Sequence, residues 1–83
     1  MRDAYYRRTF GMSADDVDAM LLAQGGGCAI CGKRPEREAS LHVDHCHDTG
    51  RVRGIICLNC NQGLGQFGDD PDLLERAAAY LRG

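Results

Sequence analysis

The stretch LHVDHCHDTGR, residues 41–51, holds all three histidines of this 83-residue chain. A Cys-x-x-Cys pair stands on each side of it, Cys28 with Cys31 and Cys57 with Cys60. Apolar and polar residues predict a short strand that begins near Ser40 and continues through residue 45. Residues 48–50 predict a turn, and residues 51–56 a returning strand. The stretch therefore predicts a β-hairpin between two cysteine pairs.

Four thiolates in two close pairs are the ligands of a closed tetrahedral zinc site. A chain of 83 residues builds only a small core, and a structural zinc can add on the order of 10 kcal/mol of folding free energy. No secretory signal precedes the cysteines, so a reducing cytosol favours metal binding over disulfides. We therefore expect one structural zinc on these four cysteines, with no ligand position open for catalysis. A disulfide or redox pair is the alternative.

The other segments give helix and loop signals. Ser13 and Asp16 form a capping box before a helix, glycines at 25–27 end it, and residues 35–39 predict a polar loop. Asp70 and Pro71 predict the start of a last helix. The sequence thus predicts a single small α+β domain with these parts: a basic arm or short helix at 1–12, a helix at 13–24, a zinc-bound core at 28–67 and a helix at 70–82.

The net charge of −2 argues at first against a nucleic-acid partner. However, most of the acidic residues stand at predicted helix starts, where they complement the helix dipole, and the rest of the chain is basic. The distribution allows DNA binding with modest non-specific affinity. No segment approaches the ~18 apolar residues of a membrane span, and we expect a cytoplasmic protein of a bacterial or phage-infected cell.

Three residues near the cysteines have the chemistry for phosphodiester hydrolysis. Asp44 and Asn61 offer the hard oxygen ligands that magnesium or manganese accepts, and His45 suits a general base near neutral pH. Two of these residues also have a structural interpretation. The histidine could be a spare zinc ligand, and Asn61 could cap a helix. Arg51 and Arg53 are candidate phosphate contacts or merely solvated side chains.

At these residues the chain resembles the recombination endonuclease VII family, a zinc-containing branch of the His-Me finger (HNH, ββα-metal) nucleases. The resemblance covers nearly the whole chain, and the matching segments are residues 11–13, 24–26, 28–31, 42–47, 49–54, 57–61, 64–65 and 68–71.

The resemblance implies a ββα-metal core with zinc knuckles, flanked by an N-terminal and a C-terminal helix. It implies that Asp44 and Asn61 hold a catalytic magnesium, that His45 activates water, and that His42 and His47 support them. The family's founding member is a dimer of intertwined chains that cuts four-way junctions and other branched DNA. Duplex, nicked and branched DNA are therefore the expected partners, and a homodimer is one expected state.

Two departures from the family pattern are visible. The founding member has an acidic residue three positions after the asparagine, where Leu64 stands here. This chain also stops at Gly83, without the long C-terminal region of that enzyme, so simple nicking is expected beside junction cutting. Cys46 is a fifth cysteine, for which we expect a buried free thiol, with adventitious metal binding as the alternative.

Our first interpretation is a magnesium-dependent DNA endonuclease. Its DNA contacts are expected at the basic residues of the returning strand and the N-terminal arm, Arg51, Arg53, Arg7 and Arg8, with Arg2 beside them. A non-catalytic zinc-ribbon module that binds DNA or protein is the rival from another class. A thiol-disulfide oxidoreductase is a third interpretation, which leaves the histidines and Asn61 unexplained.

Overall fold

The computed structural model describes residues 2–34 and 41–83. Its elements within those ranges are α1 Arg2–Phe10, α2 Ala14–Ala23, β1 Leu41–His45, β2 Val52–Cys57, α3 Leu58–Gln66 and α4 Pro71–Arg82. The predicted small α+β fold, with a hairpin and helix flanked by helices on both sides, is confirmed. The predicted loop at 35–39 and the predicted strand start at Ser40 lie outside the described residues. Among the helices in those ranges, none has the length and hydropathy to cross a membrane.

Side-chain caps fix where two of the helices begin. Ser13 Oγ accepts the Asp16 amide N–H at 3.0 Å, and the Asp16 carboxylate accepts the Ser13 N–H at 3.0 Å. Asp70 caps α4 by accepting from the amides of Asp72 and Leu73. Because each cap satisfies N–H groups that the helix itself leaves unpaired, the two helices start at these residues.

Glycine-centred turns end α2 and α3 in the same way. After α2, Gly25 has φ +89°, and the Gly26 amide donates to the Leu21 carbonyl at 2.9 Å. After α3, Gly68 has φ +66°, and the Asp69 amide donates to the Leu64 carbonyl at 2.8 Å. Both turns are Schellman motifs, which direct the following chain back along the helix.

The hairpin is an antiparallel pair with one irregularity. Leu41 pairs with Cys57 and Asp44 pairs with Gly54, but His45 pairs with Val52. Arg53 is therefore an extra residue on β2, a β-bulge. Residues next to each other on a strand normally point to opposite faces, and a bulge changes that direction locally.

The two faces of the hairpin meet different partners. Leu41, Val43 and Ile55 line a small cavity together with Tyr6 of α1 and with residues of α2. The opposite face turns toward α3, because Asp44, Gly54 and Ile56 line a common pocket with Leu64. The hairpin thus separates the N-terminal helices from α3, which begins within the second cysteine pair.

The buried core is small. Among the described apolar residues, Val17, Cys28, Ile55 and Ile56 are each at most 5% exposed. A core of this size supplies little net stability for a folded domain. The fold therefore needs a further source of stability, as the sequence analysis expects.

The Gln24 side chain joins the end of α2 to the outer edge of β2. Its Oε1 accepts the Ile55 amide at 3.1 Å, and its Nε2 donates to the Ile55 carbonyl at 2.6 Å and the Gly27 carbonyl at 2.7 Å. The side-chain amide thus pairs with β2 as a neighbouring strand would. Because Ile55 is 2% exposed, its backbone has little access to water.

We expect Gln24→Ala to lower the free energy of unfolding by about 2–3 kcal/mol, because it leaves the buried Ile55 N–H without an acceptor. Chemical denaturation measures this, with Gln62→Ala as the matched control on an exposed position. Equal stability of the two variants would show that the Gln24 bonds contribute nothing net.

Candidate active site and metal centre

The two Cys-x-x-Cys pairs come together in one cluster. The sulfur atoms of Cys28, Cys31, Cys57 and Cys60 all lie within 4.8 Å of one another. Cys31 Sγ and Cys57 Sγ are 3.8 Å apart. A tetrahedron of sulfurs about 2.3 Å from zinc has edges of about 3.8 Å, so the cluster has the size of a closed zinc site.

The backbone around each pair aims the sulfurs at one point. In the first pair, the Gly32 amide donates to the Cys28 carbonyl at 2.9 Å, and the Cys28 amide donates to the Lys33 carbonyl at 2.9 Å. A Cβ on Gly27 would lie 2.5 Å from the Gly32 carbonyl oxygen, so only glycine fits this close turn. In the second pair, Cys57 is the N-cap residue of α3 and Cys60 lies in its first turn.

The pKa values of two cysteines in the cluster are shifted in opposite directions. Burial would raise the pKa of Cys28, but N–H groups directed at its sulfur, including those of Cys57 at 3.3 Å and Ile30 at 3.4 Å, lower it to about 6. Burial raises the pKa of Cys60 to about 12, and the other three cysteine side chains add to that rise. A second thiolate is therefore unfavourable until a cation joins the sulfurs, and a divalent metal would deprotonate them all.

Asp44 lies on the α3 side of the hairpin and makes a two-point ion pair with Arg53. Arg53 Nε donates to Asp44 Oδ2 at 2.7 Å, and Nη2 donates to Oδ1 at 3.1 Å. The Asp44 side chain is 12% exposed, and its hydrogen bonds raise the pKa of Arg53. The Asp44 carboxylate thus already has a cation, the Arg53 guanidinium, as its partner.

The ion pair gives Arg53 a partner that the sequence does not predict. From the sequence, Arg51 and Arg53 are alike candidates for phosphate contacts or solvated side chains. The bulge turns Arg53 toward Asp44 instead, whereas Arg51 lies exposed at the start of the returning strand. Alternation along a regular strand cannot reveal this, because it assumes that no residue is inserted.

His45 and His47 lie next to each other at the end of β1. Their ring centroids are 5.1 Å apart, and the His45 ring is 5.9 Å from the ring of Phe10 in α1. His45 is half-buried and His47 is exposed. His42, two residues before Asp44, lines a separate pocket of about 230 Å³ with Tyr5, Tyr6 and Phe10.

Asn61 lies on α3, one helical turn before Leu64, and is exposed. Residues three apart share a helix face, and Leu64 lines the pocket that contains Asp44. Asn61 is not among the residues that line that pocket, so its approach to Asp44 stays a prediction.

Asp69 also lies next to these side chains, although its place in the sequence predicts only a residue near the start of a helix. Its Oδ2 lies 3.2 Å from His47 Nε2 and 3.7 Å from Arg53 Nη2. It also has φ +55°, an uncommon conformation for a residue other than glycine. No local sequence signal shows this, because the ion pairs join segments that are far apart along the chain.

Cys46 differs from the expectation of a buried thiol. It is half-buried, it lies outside the four-cysteine cluster, and its amide donates to the Arg51 carbonyl at 2.8 Å to open the hairpin turn. The Thr49 side chain lowers the pKa of Cys46. The position at a surface turn explains why the thiol stays accessible.

The solved structure of the ββα-Me type II restriction endonuclease Hpy99I is similar to this chain. The TM-score is 0.62 at 35% sequence identity, over 95% of this chain and 47% of that one. A hairpin followed by a helix, beside four clustered cysteines, thus has the fold of a ββα-metal nuclease. The family profile of recombination endonuclease VII matches residues 3–83. The chain belongs to the recombination endonuclease VII family, as its motifs indicate.

Two curated relatives are phage proteins, each called gene 59 protein. The one from Mycobacterium phage D29 is 43% identical over 75 residues, covering 89% of this chain and 46% of that protein. The one from Mycobacterium phage L5 is 39% identical over 74 residues, covering 88% of this chain and 45% of that protein. The chain therefore spans just under half the length of these relatives.

Proposed function

We propose that this chain is a divalent-metal-dependent DNA endonuclease that hydrolyses phosphodiester bonds. The observation that carries the proposal is the likeness, at 35% identity, to a ββα-Me endonuclease over 95% of the chain. Membership of the recombination endonuclease VII family over residues 3–83 supports it. Asp44 and His45 on β1 supply the carboxylate and the imidazole that metal-assisted hydrolysis needs.

The four-cysteine cluster is proposed to hold a structural zinc. Thiolate ligands select soft metals, and tetrahedral four-sulfur sites are typical of zinc or iron-sulfur centres. The 3.8 Å separation between Cys31 and Cys57 sulfurs agrees with the zinc geometry. With all four ligand positions filled by cysteines, such a zinc would hold the turn at Cys28 and Cys31 against the junction of β2 and α3, and it would leave no position open for catalysis.

Asp44 and Asn61 are proposed to hold magnesium or manganese. Their carboxylate and amide oxygens are the hard ligands these ions prefer, and the half-buried Asp44 carboxylate suits a cation. When bound, the ion would stabilise charge on the scissile phosphate and on the leaving oxygen. Arg53 donates to the same carboxylate and would share Asp44 with the ion, because each carboxylate oxygen can accept more than one bond.

His45 is proposed as the general base. It takes a proton from water as the water oxygen forms a bond to phosphorus, and the bond from phosphorus to the 3′ oxygen breaks. The departing 3′ oxygen gains a proton from solvent, which leaves a 3′ hydroxyl and a 5′ phosphate. Phe10 packs beside His45 and restricts the ring, while His42 and His47 are proposed to support the phosphate.

DNA is proposed to lie across the hairpin end and α1. Arg51 is exposed, and Arg7 and Arg8 occupy the last turn of α1, on the helix that carries Phe10. Such contacts hold the phosphate backbone without reading sequence. Arg53 is proposed to reach the phosphate backbone from its place beside Asp44.

The test is nicking of supercoiled plasmid by purified, zinc-loaded protein. We expect nicked circles in the presence of magnesium or manganese and none with excess chelator added just before the DNA, because hydrolysis needs the second metal. Duplex, nicked and four-way-junction oligonucleotides compared on one gel then give the substrate preference, and light scattering distinguishes a monomer from a homodimer.

Zinc-loaded protein that nicks no DNA across several divalent metals would overturn the proposal. Binding of DNA without cleavage would then favour a zinc-ribbon binding module.

A further inference from the structure

Asp69 joins two basic side chains of the candidate active site from outside the hairpin. Its Oδ2 lies 3.2 Å from His47 Nε2 and 3.7 Å from Arg53 Nη2. The same Arg53 nitrogen donates to Asp44 Oδ1 at 3.1 Å. One guanidinium group is therefore flanked by two carboxylates, one from β1 and one from the turn after α3.

The backbone fixes where the Asp69 carboxylate stands. Its amide donates to the Leu64 carbonyl at 2.8 Å in the turn that ends α3. The following residue, Asp70, is the N-cap of α4, so the segment is held at both ends. The turn imposes the φ of +55° on Asp69. Backbone conformations that are uncommon for residues other than glycine cluster at functional sites.

Exposure shows what Asp69 contributes. The Asp69 side chain is 25% exposed, whereas those of Arg53 and His47 are 39% and 72% exposed. An exposed arginine or histidine has many rotamers, and ordering it costs entropy. A carboxylate on a fixed turn restricts both side chains to positions within reach of Asp69.

We propose that Asp69 is a positioning residue of the active site, which holds Arg53 beside Asp44 and ties His47 to the same carboxylate as Arg53, so that Asp44 keeps the orientation that binds a divalent metal. Asp69 is not assigned to the metal itself. This inference rests on the proposed function, because it takes Asp44 as the ligand.

The test is manganese binding to the zinc-loaded full chain, measured by electron paramagnetic resonance of the free ion without DNA. Asp69→Asn is the variant, because asparagine tolerates positive φ and keeps the shape of the side chain. Asp72→Asn removes the same charge three residues away, on an exposed residue at the start of α4. Mutation of a group that orients a metal ligand typically lowers the metal affinity 10–100-fold. We therefore expect at least a tenfold loss of manganese affinity for Asp69→Asn and less than a twofold loss for Asp72→Asn.

A double-variant background separates positioning from direct ligation. In a chain with Arg53→Lys and His47→Gln, the two residues through which Asp69 acts are already changed. Adding Asp69→Asn there should weaken manganese binding by less than twofold. A full tenfold further loss would overturn the positioning role.

The failures of the two proposals are distinguishable. If the unaltered chain binds manganese and Asp69→Asn binds it equally well, the inference about Asp69 fails and the nuclease proposal stands. If the unaltered chain binds no manganese, the proposed ligand role of Asp44 fails as well.

Discussion

His45→Gln is expected to reduce plasmid nicking by about a thousandfold, because a positioned general base contributes roughly 10²–10⁴ to the rate of such reactions. Glutamine keeps much of the bulk that packs against Phe10 but cannot take the proton from water. The measurement is the initial rate of nicked-circle formation at saturating magnesium, with enzyme in excess of plasmid.

Structural damage must be separated from loss of chemistry in this variant. His45 stands outside the four-cysteine cluster, so zinc content and thermal midpoint should match those of the unaltered chain. His45→Ala should lose activity to at least the same extent. Nicking by His45→Gln at more than a tenth of the original rate, with the fold intact, would remove His45 from the role of base.

Cys28→Ser is expected to abolish cooperative folding. Cys28 is 2% exposed, it belongs to the metal cluster, and its sulfur accepts the amides of Cys57 and Ile30. Structural zinc supplies roughly 10–16 kcal/mol of apparent binding free energy in small domains, which is more than the typical stability of a folded protein. Far-UV and near-UV circular dichroism with metal analysis of the purified variant measure the effect.

Cys46→Ser provides the matched control, because it makes the same chemical change outside the cluster. It should stay folded with one zinc per chain. A folded Cys28→Ser chain with a full equivalent of zinc would contradict the structural role, and so would loss of zinc from Cys46→Ser.

Local sequence signals account for much of the fold. The Ser13 and Asp70 caps mark where α2 and α4 begin, because each acts on residues within one helical turn. The spacing within each Cys-x-x-Cys pair likewise predicts a metal site without any information from distant residues. The four cysteines meet in one cluster as the zinc hypothesis requires, although the identity of the metal stays a prediction.

The parts of the site that depend on distant contacts could not be predicted. The bulge at Arg53 follows from how β2 pairs with β1, and it places the Arg53 side chain on Asp44. Asp69 reaches His47 only because α3 ends in a Schellman turn. The residues next to Arg53 and Asp69 in the sequence do not indicate that these two side chains make those contacts.

The apolar face of the last helix shows the same limit. The spacing of leucines and alanines predicts an amphipathic helix, which α4 is. The pattern does not say what that face packs against, and Tyr80 and Leu81 are each 83% exposed in this chain. Periodicity gives the direction of a face, whereas its partner depends on the tertiary arrangement.

The central claim is that the cysteine-held fold brings Asp44 and Asn61 to one divalent ion beside His45. Anomalous scattering from crystals of the zinc-loaded chain soaked with manganese tests it most directly. The account predicts a manganese peak about 2.1 Å from an Asp44 carboxylate oxygen and from the Asn61 amide oxygen, separate from the zinc peak. A manganese peak elsewhere, or Asp44 and Asn61 directed apart with no manganese between them, would contradict the account.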